Sequence, residues 1–333
     1  MTNRTGTRES GTRIPARGLV LAAGLGTRLQ PLTLARAKAA APVDGEPLAR
    51  RAIRWLVGHG VRDLVVNLHH KPESIAAAVG DGGDLGARVR YSWEQPVLGS
   101  AGGPRRALPL LVDDPSADES FLMVNGDTLT SLSLTRFAAA HCDSGALVTM
   151  ALIENPRPDV YGGVRVEDGW VRGFTRAGSG EPSYHFIGVQ AARARTFLAL
   201  EDGVPAESVM GLYPRLIREN PRSILGYVVD APFSDIGTPA DYLQTSLRLA
   251  ETEGNRLVGA RDVSIDRSAR VERTAVWDRV TIGKNCTLEE CIVCDGVGVA
   301  DGASYRRTAL VAYAGQPVQR DERVEGGLLL RSF

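Results

Sequence analysis

The chain has no surplus of either charge: 39 lysines and arginines stand against 39 aspartates and glutamates. That balance excludes a general electrostatic attraction to nucleic acid or to an anionic membrane, so any anion must be held locally. Cysteine is scarce. Cys142, Cys286, Cys291 and Cys294 are the full complement in 333 residues, and their spacing matches no disulfide scaffold of a secreted domain. Cys291 and Cys294 make a lone CxxC without a second half, which argues against a zinc site. Residues 1–15 are polar and rich in Arg, Thr and Gly, as expected of a flexible tail. The apolar run after them is too short to span a bilayer and ends in glycine. Neither a signal peptide nor a membrane anchor is expected, and the cytoplasm is the expected location. Long polar tracts are also missing; with 43% hydrophobic and 23% charged residues, the composition is that of a folded chain with room for one large α/β domain and a smaller module.

What is present begins at residue 18. "GLVLAAGLGTRLQPLTLARAK" reads as a buried strand that runs into a glycine turn and then places Arg28 and Lys38 close behind it. Gly24 and Gly26 allow a phosphate to approach the backbone, where amide groups can cradle its oxygens. Arg28 offers several donors to a polyphosphate and Lys38 a mobile point charge. Two common phosphate loops are excluded. The dinucleotide fingerprint fails because its third glycine position is Leu29, and Asp44 or Glu46 is a poor substitute for the acidic residue that should end a second strand. A Walker A loop fails because no GK[ST] follows the glycines at the required spacing.

Further along, "GEPLARRAIRWLVGHGV" has helical apolar spacing, while "DLVVNLH", "ARVRYSW" and "SFLMVNGDTL" read as strands. This alternation predicts a mainly parallel α/β sheet with ligands gathered beyond the carboxyl ends of its strands. The loop "LGSAGG" is expected to precede a helix. Four shorter strands between residues 145 and 189 are expected to extend the sheet and form a substrate-facing lobe, placed at about 145–225. In "FSDIGTPADYL", Thr238 is the expected N-cap of a helix with Pro239 in its first turn.

After Gly254 the pattern changes. Apolar residues recur at Ile265, Val271, Val276, Ile282, Leu288, Val293, Val299, Tyr305 and Leu310, at intervals of five or six that close every 17 residues. Three coils of three short strands, a β-helix, explain such a period where an α-helix does not. Cys286 and Cys291 become small core residues, and Gly283, Gly296 and Gly302 fit corners. The module, residues 255–333, would be a scaffold or a homo-oligomer surface.

"LAAGLGTRLQPLT" followed by "KAAAPVDGEPL" resembles the N-terminal signature of the sugar nucleotidyltransferases, or nucleoside-diphosphate-sugar pyrophosphorylases. "LGSAGG", "VNGD" and "FSDIGTPADYL" then occur in that family's order, so the resemblance covers roughly residues 17–250. It implies a Rossmann-like nucleotidyltransferase core with a mainly parallel mixed sheet over residues 16–254. Several members also carry a C-terminal left-handed β-helix, in keeping with the 17-residue period. The implied reaction moves a nucleotidyl group from a nucleoside triphosphate to a sugar 1-phosphate and releases pyrophosphate. "LGSAGG" looks closer to the loop of mannose-1-phosphate guanylyltransferases, so GTP and mannose 1-phosphate are expected, with a uridylyltransferase as the alternative. A catalytically silent sensor of nucleotide sugars is a further alternative, disfavoured by the retention of Arg28, Lys38, Asp127 and Asp235.

The resemblance assigns Mg²⁺ binding to Asp127 and Asp235, the aspartates of "NGD" and "FSDIG", and phosphate contacts to Arg28 and Lys38. The expected nucleotide surface comprises Leu21, Ala23, Gly24, Gly26, Thr27, Gln95, Gly99, Ser100 and Gly102. On the sugar side, Gly126, Gly162, His185 and Gly188 are candidates, together with Arg176, which stands where many relatives have the lysine of a Glu-Lys-Pro stretch. Arginine's rigid fork is not equivalent to that ammonium group.

Overall fold

A computed structural model describes residues 14–234, 236–253 and 261–333. Residues 1–13 of the expected tail at 1–15, the expected boundary at 254 and 255, and Asp235 therefore lie outside the described residues. The core is a nine-stranded mixed sheet. Its spatial order is Arg88–Trp93, Asp63–Leu68, Arg17–Leu21, Ser120–Asn125, Tyr184–Arg193, Val148–Glu154, Ile224–Val228, Trp170–Thr175 and Gly163–Glu167. The first four run parallel, as expected of apolar strands joined through helices. Tyr184–Arg193 is antiparallel to both of its long neighbours and joins this half to the strands of the expected lobe, which do extend the sheet.

The helix Leu48–Gly58 buries Leu48, Ala52, Ile53 and Leu56, the positions picked out by its spacing. Around "LGSAGG" the structure differs from expectation. The helix runs over Gly99–Leu111, so the glycines form its first turns rather than a preceding loop. Close packing favours this arrangement: a Cβ on Gly102 would sit 2.8 Å from the Val204 carbonyl oxygen. At Pro239–Glu253 the expected cap is present. The Asp241 amide donates to Thr238 Oγ1 at 3.2 Å, while Asp241 Oδ2 accepts from the Thr238 amide at 3.0 Å, a reciprocal capping box.

The C-terminal region stacks short parallel strands in a form resembling a β-helix. Ile265, Ile282 and Val299 lie in register, as do Val271, Leu288 and Tyr305, and Val276, Val293 and Leu310. These are the triplets of the 17-residue period. Its corners were only partly legible. Gly296 and Gly302 have positive φ, but so do Arg273, Glu290 and Arg307, which also repeat every 17 residues. Cys286 and Cys291 are buried inside the coils, whereas Cys294 belongs to a different apolar cluster, against the core, so the CxxC does not converge. A C-terminal hairpin of Glu322–Glu325 and Leu328–Ser332 extends the last coil.

Leu288 is fully buried and Lys284 is exposed. Leu288→Asp is expected to destabilise the coils by about 3 kcal/mol or more, because the carboxylate has no buried partner, while Lys284→Ala should stay within about 0.5 kcal/mol. Limited proteolysis and thermal unfolding of both variants check this.

A second stability prediction concerns His141, 1% exposed, with Thr149 Oγ1 2.8 Å from Nδ1 and Ser120 Oγ 3.1 Å from Nε2. Burial pushes its pKa down from 6.5 to about 4. Because the folded value lies below the unfolded one, this contribution is fully present above about pH 6.5 and is lost as pH falls toward 4. Between pH 7 and pH 4.5 the loss is about 2 kcal/mol, and denaturant titration of His141→Gln should lack that component.

Candidate active site

Four strand ends build the site. Leu21, Asn67, Glu94 and Asn125 close the parallel strands on one edge and line a cavity of 370 Å³ with Gly24, Gly26, Thr27, Arg28, Lys38, Gly99, Ser100 and Asp127. Asn67 organises its floor: its Oδ1 accepts the Ala22 amide at 2.6 Å and the Ala23 amide at 3.3 Å, while its Nδ2 donates to Glu94 Oε1 at 2.7 Å. Glu94 Oε2 in turn accepts the Leu98 amide at 2.8 Å, tying the Gly99–Leu111 helix to the same floor. Ala23 thus lines the cavity with its amide already engaged, whereas the amides of Gly24 and Gly26 donate to no other described residue.

Gly26 turns the chain at φ 63°, and a Cβ there would lie 2.7 Å from Thr33 Cγ2. That turn sends Arg28 and Lys38 back toward the strand ends. Lys38 Nζ forms an ion pair with Asp127 Oδ2, with both side chains partly buried. Gly126 holds this corner by donating its amide to the Leu21 carbonyl at 2.8 Å; it joins two strands and does not line the cavity.

A smaller cavity of 180 Å³ adjoins the first and shares Arg28, Asn125 and Asp127 with it. Thr128, Tyr161, His185, Gly188, Phe233 and Ser234 are among its other lining residues. The His185 ring lies between Tyr161 and Phe233, with centroid distances of 4.6 and 5.1 Å. Ser234 lines this cavity and Gly237 the larger one.

Several expected residues are not brought in. Gln95 is exposed and lines neither cavity; its neighbours Glu94 and Val97 do. Gly102 faces the Val204–Ala206 backbone instead. Gly162 is exposed beside the Thr175 carbonyl, and Arg176 is exposed where the chain leaves the Trp170–Thr175 strand, so neither reaches the sugar-side cavity. The sequence reading missed Asn67, Glu94, Asn125, Tyr161 and Phe233. For the first three there was a signal, a polar residue at the end of an apolar strand. Glu207 had none: its Oε2 accepts from Ser100 Oγ at 2.6 Å across 107 positions.

The nucleotidyl transferase family model matches residues 17–177. The N-acetylmuramate alpha-1-phosphate uridylyltransferase of Neisseria meningitidis is 33% identical over 229 residues, 67% of this chain and 93% of that protein. The chain belongs to the nucleotidyl transferase family. This nucleotidyltransferase is also 26% identical to the mannose-1-phosphate guanylyltransferase of Mycobacterium tuberculosis, over 87% of its own length and 82% of the relative's. A solved structure of HddC from Yersinia pseudotuberculosis has the same core fold, with a TM-score of 0.59 at 21% identity over 70% of this chain and 99% of that one. The protein is a sugar-1-phosphate nucleotidyltransferase, which forms an NDP-sugar from a nucleoside triphosphate and a sugar 1-phosphate. Among the described residues, no helix is long and apolar enough to cross a membrane.

Proposed function

We propose that the substrates are GTP and mannose 1-phosphate and the product GDP-mannose. The observation that carries the proposal is the pair of adjoining cavities sharing Arg28, Asn125 and Asp127. The larger would take the nucleotide and the smaller the sugar phosphate, with the transferred phosphorus where they meet. The choice of base and sugar is supported by the mannose-1-phosphate enzymes of M. tuberculosis and Gibberella zeae, which align over 87% and 88% of this chain. A uridylyltransferase is the second reading, favoured by the N-acetylmuramate relative at 33% identity.

The difficulty of the reaction is that two anions must meet. In this proposal an oxygen of the sugar phosphate attacks the α-phosphorus in line, the bond to the β-phosphate breaks, and pyrophosphate departs without a side-chain nucleophile. Arg28 and Lys38 lower the repulsion and stabilise the leaving pyrophosphate, while the amides of Gly24 and Gly26, which donate to no other described residue, receive phosphate oxygens. Asp127 fits Mg²⁺, which commonly takes one or two carboxylates together with substrate phosphates, and Asp235 would be the second carboxylate. No group of three or more His, Cys, Asp or Glu among the described residues forms an all-protein cage. When bound, the ion offsets negative charge on the α-phosphate. His185, Tyr161 and Phe233 would enclose the sugar ring. A homo-oligomer built through the exposed faces of the coils belongs to the same proposal and is read by light scattering.

A matrix of the four nucleoside triphosphates against mannose, glucose and N-acetylmuramate 1-phosphates tests the assignment. GTP with mannose 1-phosphate is expected to have the highest kcat/KM, by at least about tenfold. A higher value with UTP would transfer the assignment to the uridylyltransferase reading.

A further inference from the structure

The loop carrying Arg28 and Lys38 is enclosed by the C-terminal coils as well as by the sheet. Leu29, Leu32 and Val43 from the loop side pack with Trp277 and Ile292 of the coils and Tyr242 of the last helix in one buried cluster. Polar ties cross the same boundary. Trp277 Nε1 donates to the Tyr242 hydroxyl at 2.8 Å, and that hydroxyl donates to the Pro42 carbonyl. Arg331 Nη1, from the terminal hairpin, donates to the Gln30 carbonyl at 3.0 Å.

Arg36 is the centre of this boundary. Its Nε and Nη2 donate to the two carboxylate oxygens of Asp295 at 2.5 and 2.6 Å, and Nη2 also donates to Asp278 Oδ2 at 2.6 Å. The guanidinium carbon lies 5.6 Å from the Trp277 ring centroid. All three charged side chains are at most 15% exposed. Asp278 and Asp295 hold equivalent positions in successive coils, and Asp295 Oδ1 also accepts the Asp278 amide at 3.1 Å. Burial disfavours the charged guanidinium, but the two carboxylates outweigh it and hold its pKa above the ordinary value.

A desolvated two-point pair of this kind fixes orientation as well as contributing energy. The Ala37 amide donates to Ser74 Oγ at 3.0 Å, so the backbone next to Arg36 is gripped from the core too. Two residues on, Lys38 reaches Asp127. We propose that Arg36, held by Asp278 and Asp295, is a positioning residue that sets the loop bearing Arg28 and Lys38, which makes the C-terminal coils a working part of the active site. The inference rests on the assignment of that loop to the triphosphate.

The test uses the full-length protein and the substrate pair of highest turnover. Arg36→Gln, and Asp295→Asn as a second variant that keeps the arginine, should each lower kcat/KM for the triphosphate about tenfold or more and leave KM for the sugar phosphate unchanged. In a Lys38→Ala background the same substitutions should add little, because Arg36 acts through the loop. A variant combining Arg36→Gln, Asp278→Asn and Asp295→Asn removes all three buried charges. It should fold like wild type yet keep the kinetic defect. Wild-type constants in the single variants would overturn the proposal, as would a loss that multiplies fully with Lys38→Ala or falls equally on both substrates. A Lys38→Ala protein with wild-type constants would instead refute the loop's assignment to the phosphates, a separate failure.

Discussion

Arg28→Ala is expected to cut turnover by roughly a hundredfold or more while leaving thermal unfolding nearly unchanged. The side chain is exposed at the junction of the two cavities, so its loss removes positive charge from the proposed phosphate site without opening the core. Lys38→Ala should be at least as severe. It deletes the cation paired with Asp127 and leaves that carboxylate facing an incoming triphosphate. Steady-state kinetics with pyrophosphate detection, alongside calorimetric melting, separates a chemical defect from a folding defect. Near-normal turnover in Arg28→Ala would remove it from the site.

Local repetition accounts for what was legible beforehand. The 17-residue period could be read because successive coils place an apolar residue at the same position, as with Val276, Val293 and Leu310. The turn that brings Arg28 and Lys38 to the strand ends was legible because strand, glycines and both cations lie close together in sequence. Long-range partners were not. Arg36 meets Asp278 and Asp295 across 242 and 259 positions, and nothing around "LARAK" separates it from any surface arginine. Gln95 was placed on the nucleotide surface, but the chain turns it outward and buries its neighbour Glu94 against Asn67. Arg176 was placed by analogy with a lysine of the family, and the end of its strand sends it to solvent.

The second large effect is expected at Asp127. Asparagine keeps the size of the side chain, and the Lys38 ammonium retains an oxygen to bond, so the fold should survive. The proposed Mg²⁺ site would lose anionic affinity, along with several kcal/mol of charge stabilisation, which corresponds to a fall in turnover of about a thousandfold. Asp235→Asn should behave alike if Asp235 is the second carboxylate, since Ser234 lines the smaller cavity and Gly237 the larger. The double variant should lose less than the product of the two single defects, because the shared geometry is already compromised once either carboxylate is gone.

The decisive measurement is initial pyrophosphate release across a Mg²⁺ titration for wild type, Asp127→Asn, Asp235→Asn and the double variant, with the substrate pair of highest turnover. A single shared assembly predicts strongly reduced rates and a raised Mg²⁺ requirement in each single variant, with a sub-multiplicative loss in the double. Wild-type rate and Mg²⁺ dependence in either single variant, or fully multiplicative losses in the double, would contradict it.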